Sequence, residues 1–120
     1  MTTVLRQQAA TSPDDVGAQL TAAFLAVKSA TEAGEAATLV VHGPDLLGQG
    51  SLEGAAIATG FLGLMRAVVF EGGAKGWQVN VIAVQPDEAV PYALIDQITV
   101  AGLTGQFLTT SAAGLGRIAP

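Results

Sequence analysis

The run Thr38-Leu39-Val40-Val41 is short, β-branched and apolar with no in–out alternation, the pattern of a strand covered on both faces, as strands of a parallel sheet are. Such a strand needs helices on both sides, so its flanks are expected to alternate helix and strand. Upstream, Ser12-Pro13-Asp14-Asp15 is a helix start. Serine can cap the first free N–H groups, proline needs no N–H in the first turn, and two acids stand near the positive end of the dipole. Val16, Leu20, Phe24 and Val27 then recur at helical spacing and predict one buried face, while Ala18, Ala22 and Ala26 form a second, smooth one. Gly34 is the expected stop, after Lys28 near the negative end. Before the helix, Thr3-Val4-Leu5 offers at most a small edge strand.

Downstream of the run, Gly43, Pro44, Gly48 and Gly50 predict a glycine-rich loop, followed by a helix from about Leu52 to Glu71. That helix is apolar almost all round, with Thr59 and Arg66 as a narrow polar stripe. Gly72-Gly73 ends it, and Trp77 to Val84 is an expected strand closed by Pro86. Pro91 is placed to open a helix over Tyr92 to Val100, and Gly105 to Thr110 would form the last strand. The order α-β-α-β-α-β predicts one α/β domain over residues 1–120, with a small parallel sheet of three to four strands and right-handed crossovers.

The totals narrow the function. Half of the 120 residues are apolar and 12% are charged, about half the usual charged share, so some apolar surface is expected to be buried against another chain. The net charge is −5, and the five cations, Arg6, Lys28, Arg66, Lys75 and Arg117, are scattered, which argues against nucleic acid or an anionic membrane as partner. Without cysteine there is no disulfide framework or thiolate chemistry, and the N-terminal MTTVLRQQAATSPDD lacks the apolar core of a signal peptide, so the expected compartment is the cytoplasm. Gly54 to Phe70 is apolar, but it is 17 residues long, rich in glycine and alanine, and contains Arg66. A helix buried on nearly all sides is expected there rather than a membrane span.

Four segments taken in order resemble the C-terminal half of the short-chain dehydrogenase/reductase family. Asp15 to Leu25 resembles the helix after that family's fourth strand, and Ala55 to Glu71, with Gly63-Leu64-Met65-Arg66, its active-site helix. Gly76-Trp77-Gln78-Val79-Asn80-Val81-Ile82-Ala83-Val84-Gln85-Pro86 is similar to its "G-hydrophobic-R-V-N-x-I-x-P-G" strand, and Leu103-Thr104-Gly105-Gln106-Phe107-Leu108 to its closing "TGQ" strand. The resemblance runs from about residue 13 to 116 and implies a truncated Rossmann-like three-layer fold.

It also implies what is not expected. The family opens with a strand and glycine-rich turn that hold the cofactor's phosphates, and on this resemblance that half has no counterpart, so no cofactor is expected. The family's catalytic tyrosine falls on Gly54, its lysine on Ala58, its serine on Gly43 and its asparagine on Gln19. No catalytic residue is therefore expected. The family's long substrate-covering segment is reduced to a few residues after Pro86. The family's two corresponding helices dock on a second subunit as a four-helix bundle. The resemblance thus implies a non-catalytic assembly subunit, pairing as a homodimer or as a heteromer with a full-length member through Ala18, Ala22, Ala26, Ala55, Gly60 and Gly63.

Other readings are narrower. Gly48 to Gly54 has the spacing G-x-G-x-x-x-G, and Gln49-Gly50 stands where a phosphate loop needs lysine and a hydroxyl, so phosphate binding is not expected. His42, the only histidine, ends a strand at the edge where α/β sites form; Asp45 and Glu53 are near it in sequence, and with Pro86 after the next strand they make a candidate crevice. One histidine with no set of carboxylate partners predicts no metal site. The crevice leaves two alternatives open: an enzyme completed by a partner with His42 or Glu53 contributing, or a small-ligand module at His42, Asp45 and Pro86. Tyr92 has Asp96 four residues on, which disfavours a phenolate, and is expected to pack near a helix start. Ser29, Ser51 and Ser111 sit in no nucleophile motif.

Overall fold

The computed structural model describes residues 2–110; Ser111, Arg117 and the end of the resemblance to residue 116 lie outside the described residues. The strands are β1 (Thr2–Arg6), β2 (Ala36–His42), β3 (Val79–Val84) and β4 (Phe107–Thr109), and the helices are α1 (Pro13–Glu32), α2 (Gly43–Leu46), α3 (Leu52–Gly72) and α4 (Tyr92–Val100). The sheet is parallel, with spatial order β1-β2-β3-β4. The fold is Rossmann-like α/β. The weak N-terminal signal is a full strand, in register with β2 from Thr2↔Ala36 to Arg6↔Val40.

Strand alternation divides the core in two. Leu39, Val41, Val79, Val81 and Ala83 face α1 and α3, where they meet Ala23, Val27, Ile57, Ala58, Phe61 and Met65. Val40, Ile82 and Val84 face the other way, against Ile95 and Ile98 of α4. This arrangement corrects the expectation of uniformly right-handed crossovers. Each connection steps to the next strand in the same direction, yet α4 lies on the opposite face from α1 and α3, so the third crossover has the reverse hand. The placement covers the apolar side of β2 and β3 that would otherwise face water.

Local signals act as read. Ser12 accepts a hydrogen bond from the N–H of Asp15, and Gly34 turns the chain after α1 with φ of 71°. The loop expected after β2 instead begins with the short helix α2, opened by Pro44. Beyond α3, a 3₁₀ turn spans Gly73–Lys75, and the expected strand from Trp77 starts only at Val79. The last strand narrows to three residues. It is tied to the sheet by Asn80, whose amide donates to the Leu103 carbonyl and whose oxygen accepts from Gln106 N–H.

Burial corrects two side-chain expectations. Phe24 is 53% exposed rather than part of the core face, because α1 turns Ala23, Val27 and Ala30 toward the sheet. Phe24 lines a groove of about 220 Å³ between the two helices, together with Leu64, Val68 and Trp77. Tyr92 is 62% exposed rather than packed, since α4 buries Ile95 and Ile98. Among the described residues α3 is the one helix long and apolar enough to cross a membrane, yet only 33% of its most apolar window is buried within the chain. The rest of its surface is left uncovered by this chain. Its uncovered side presents Leu52, Ala56, Thr59, Gly63, Ala67 and Phe70 at spacings of three and four, with Arg66 alongside.

Candidate functional site

Parallel strands bring their C-terminal ends to one edge, where α/β sites form. Here that edge gathers Arg6 and Gln7 from the end of β1, His42 from the end of β2, and Gln85 and Pro86 beyond β3. Helix α2 folds back so that Asp45 meets His42 across 3.6 Å from Nδ1 to Oδ2, with both side chains about 85% shielded at 15% and 14% exposure.

Gln7 is the hub of the edge and is 2% exposed. Its Nε2 donates to Asp45 Oδ2 at 2.9 Å and to the Gly54 carbonyl at 3.1 Å, while its Oε1 accepts from His42 N–H at 2.8 Å. One amide thus ties β1, β2, α2 and α3 together. Arg6 beside it donates to the carbonyls of Gln85, Pro86 and Glu88, holding the loop after β3. Within that loop Glu88 Oε1 accepts from Gln85 N–H and from the Thr110 hydroxyl. Among the described residues, no buried side-chain nitrogen or oxygen lacks a partner.

Burial holds the His42 imidazole below its ordinary pKa of 6.5, and the Arg6 charge pushes it further the same way; Asp45 opposes both. Neutral imidazole is favoured, because a charge in this shielded place loses hydration and meets a cation.

The positions matched by resemblance are occupied differently. A Cβ on Gly54 would stand 2.6–2.7 Å from the Asp45 carboxylate, so the space a side chain would take there is filled from α2. Ala58 is fully buried in the core. Gly43 is buried at the start of α2, and Gln19 clasps the backbone of Gln8, donating to its carbonyl at 2.8 Å and accepting from its N–H at 2.9 Å. Ser51 accepts from Gly54 N–H at 2.9 Å and serves as a cap for α3.

The structure brings His42 and Asp45 together, while the Pro86 carbonyl accepts from Arg6. Glu53, in the first turn of α3, makes no hydrogen bond or ion pair among the described residues. Arg6 and Gln7 were missed in the sequence; the one available signal was a polar pair directly after an apolar strand. Of the matched surface residues, Ala18, Ala22 and Gly63 are exposed, Ala26 and Ala55 are half-buried, and Gly60 packs against Leu20 inside the chain.

No protein-family model matches the chain, and no curated protein matches it by sequence. Solved structures do match. One is described as "Putative oxidoreductase from Escherichia coli str. K-12", with a TM-score of 0.62 and 18% identity over 98% of this chain and 65% of that one. Another is a 4-hydroxyisoleucine dehydrogenase complexed with NADH and succinate, with a TM-score of 0.56 and 19% identity over 94% of this chain and 69% of that one. The chain thus spans about two thirds of the length of each. At these identities the likeness is one of fold: this chain has a Rossmann-like α/β fold that oxidoreductases also use.

Proposed function

We propose that this chain is a non-catalytic, dehydrogenase-like assembly subunit that associates through α1 and α3, as a homodimer or with a longer relative. The observation that carries the reading is the uncovered face of α3. Phe70 is 95% exposed and Leu52 is 83% exposed, at opposite ends of a stripe whose middle is small. Water contact of this kind is costly, since burying a Phe or Leu side chain is worth roughly 1.5–3 kcal/mol.

Gly63 strengthens it. A Cβ there would meet nothing within 4 Å, so no contact inside the chain requires glycine, although glycine in a helix interior costs about 1 kcal/mol relative to alanine. A neighbouring molecule approaching α3 closely supplies the reason. At the sheet edge the non-catalytic half of the reading rests on Gly54, the position matched to the family's tyrosine, where the Asp45 carboxylate fills the space a side chain would take.

The test is sedimentation velocity on the protein and on its Ala22→Glu and Gly63→Glu variants. Both sites are exposed, so the monomer tolerates the charges. Slower sedimentation of the variants is expected; coefficients unchanged from an associated parent would refute association through these helices.

A further inference from the structure

We propose that the groove between the C-terminal halves of α1 and α3 binds a small apolar α-amino acid as its zwitterion, with the carboxylate at Lys28, the ammonium at Glu71 and the side chain between the helices. The groove lies roughly a third of a turn around α3 from the Thr59–Gly63 stripe, so this goes beyond the association reading above. It also lies where β2 and β3 begin, at the opposite end of the strands from the edge of His42.

Phe24 and Val27 of α1, Leu64 and Val68 of α3, and the Trp77 ring wall a space of about 220 Å³. Pockets for drug-sized ligands start at about 300 Å³, while a cavity of about 150 Å³ holds benzene. The groove therefore suits a branched or aromatic side chain with a short head group. Trp77 is a fixed wall. Its ring takes the space a side chain on Gly72 would need, and the Lys75 ammonium lies 4.8 Å from the ring centroid. A ligand that meets a wall already held in place orders little of the protein on binding.

The two charged residues of the groove stand on opposite walls, Lys28 on α1 and Glu71 on α3, and among the described residues neither forms an ion pair. The Thr31 hydroxyl, also at the groove, donates to the Lys28 carbonyl at 2.9 Å and is used within α1. Recognition of a head group thus falls to one cation and one anion. A lone carboxylate would be drawn to Lys28 and repelled by Glu71, and a lone amine the reverse; a zwitterion satisfies both. Both charges are exposed at the rim, so each pairing contributes only about two- to fivefold in affinity, and the apolar body supplies the rest.

Trp77 is the one tryptophan of the chain, so its emission and its indole N–H resonance report this groove directly. The protein is titrated with L-leucine and L-phenylalanine, and with isocaproate, isoamylamine and glycine, which lack in turn leucine's ammonium, its carboxylate and its apolar body. The expected result is a saturable change with the two apolar amino acids, binding of isocaproate and isoamylamine about two- to fivefold weaker than leucine, and no change with glycine. Lys28→Gln is expected to erase leucine's advantage over isoamylamine, and Glu71→Gln its advantage over isocaproate; both sites are exposed, so the fold tolerates the changes. Val68→Phe, which fills the groove, is expected to abolish the response. No saturable change at Trp77 with either apolar amino acid would overturn the site, and isocaproate or isoamylamine binding as tightly as leucine would overturn the zwitterion. A change that follows protein concentration and not added amino acid would overturn it as well, placing a second copy in the groove and leaving the association reading standing.

Discussion

The Asp45 carboxylate occupies the space a side chain on Gly54 would need: a Cβ there would lie 2.6 Å from Oδ1 and 2.7 Å from Oδ2. The carboxylate cannot simply swing aside, because Gln7 holds Oδ2 at 2.9 Å. Glycine at this helical position is therefore required by the edge, against its poor helix propensity.

A double-mutant cycle exposes that opposition. Gly54→Ala is expected to destabilise the protein by about 1 kcal/mol or more through overpacking. The same substitution in an Asp45→Ala background is expected to stabilise by about 0.5–1 kcal/mol, because propensity then acts alone. Urea unfolding of the four proteins gives both signs.

Gln7→Leu removes the hub. The buried Gly54 carbonyl, the Asp45 carboxylate and the His42 N–H each lose a partner. A loss of roughly 2–4 kcal/mol is expected, at the cost of about 1–3 kcal/mol for each group left unsatisfied and partly relieved by water at the edge. Gln7→Glu is the informative comparison, since it keeps the acceptor for His42 N–H but sets a second carboxylate against Asp45. Chemical denaturation at neutral pH should rank both variants well below the parent.

His42 gives a pH dependence with a definite sign. Its pKa is lowered in the folded state, first by burial and then by Arg6, so the unfolded chain binds more protons through the window below 6.5. Stability from this group is full above 6.5 and falls as pH drops toward the lowered folded value. His42→Gln is expected to flatten that part of the profile, as read by thermal melts between pH 5 and 7.5. A profile with the same slope in the variant would assign the dependence to other groups.

The tether of β4 is a separate expectation. Asn80 is 1% exposed and bonds both Leu103 and Gln106. Asn80→Leu is expected to cost about 2–3 kcal/mol, from two backbone groups that lose their partner. Because β4 has only three residues, its amides should exchange with solvent much faster in the variant, while those of β2 change only with global stability.

What could be read from the sequence was what depends on near neighbours. The cap at Ser12, the turn at Gly34 and the opening of α4 at Pro91 are fixed by a few adjacent residues, and all three stand where the chain predicts them. Phe24 was misplaced because spacing alone puts it beside Leu20 and Val27. Its exposure depends on how α1 meets α3, where Leu20 packs onto Gly60 and a groove follows. Gly72 was read as a helix stop, and its stronger reason is the Trp77 ring lying against it. At the sheet edge His42 and Asp45, three residues apart, were read only as members of a candidate crevice; their contact comes from α2 folding back. Gln7 reaches Asp45 across 38 positions, and Arg6 reaches the loop after β3 across about 80, so neither contact leaves a local trace. The reversed third crossover was likewise invisible, because it follows from which sheet face remained uncovered.

The most direct test of the account is the molar mass of the unaltered chain by light scattering with size exclusion, over a wide concentration range. The account predicts twice the 12.0 kDa chain mass, with Phe70→Glu returning the mass to one chain. A mass of one chain at every concentration, with no binding of a dye that reports apolar surface, would contradict it, because the face of α3 would then be stable in water without a cover.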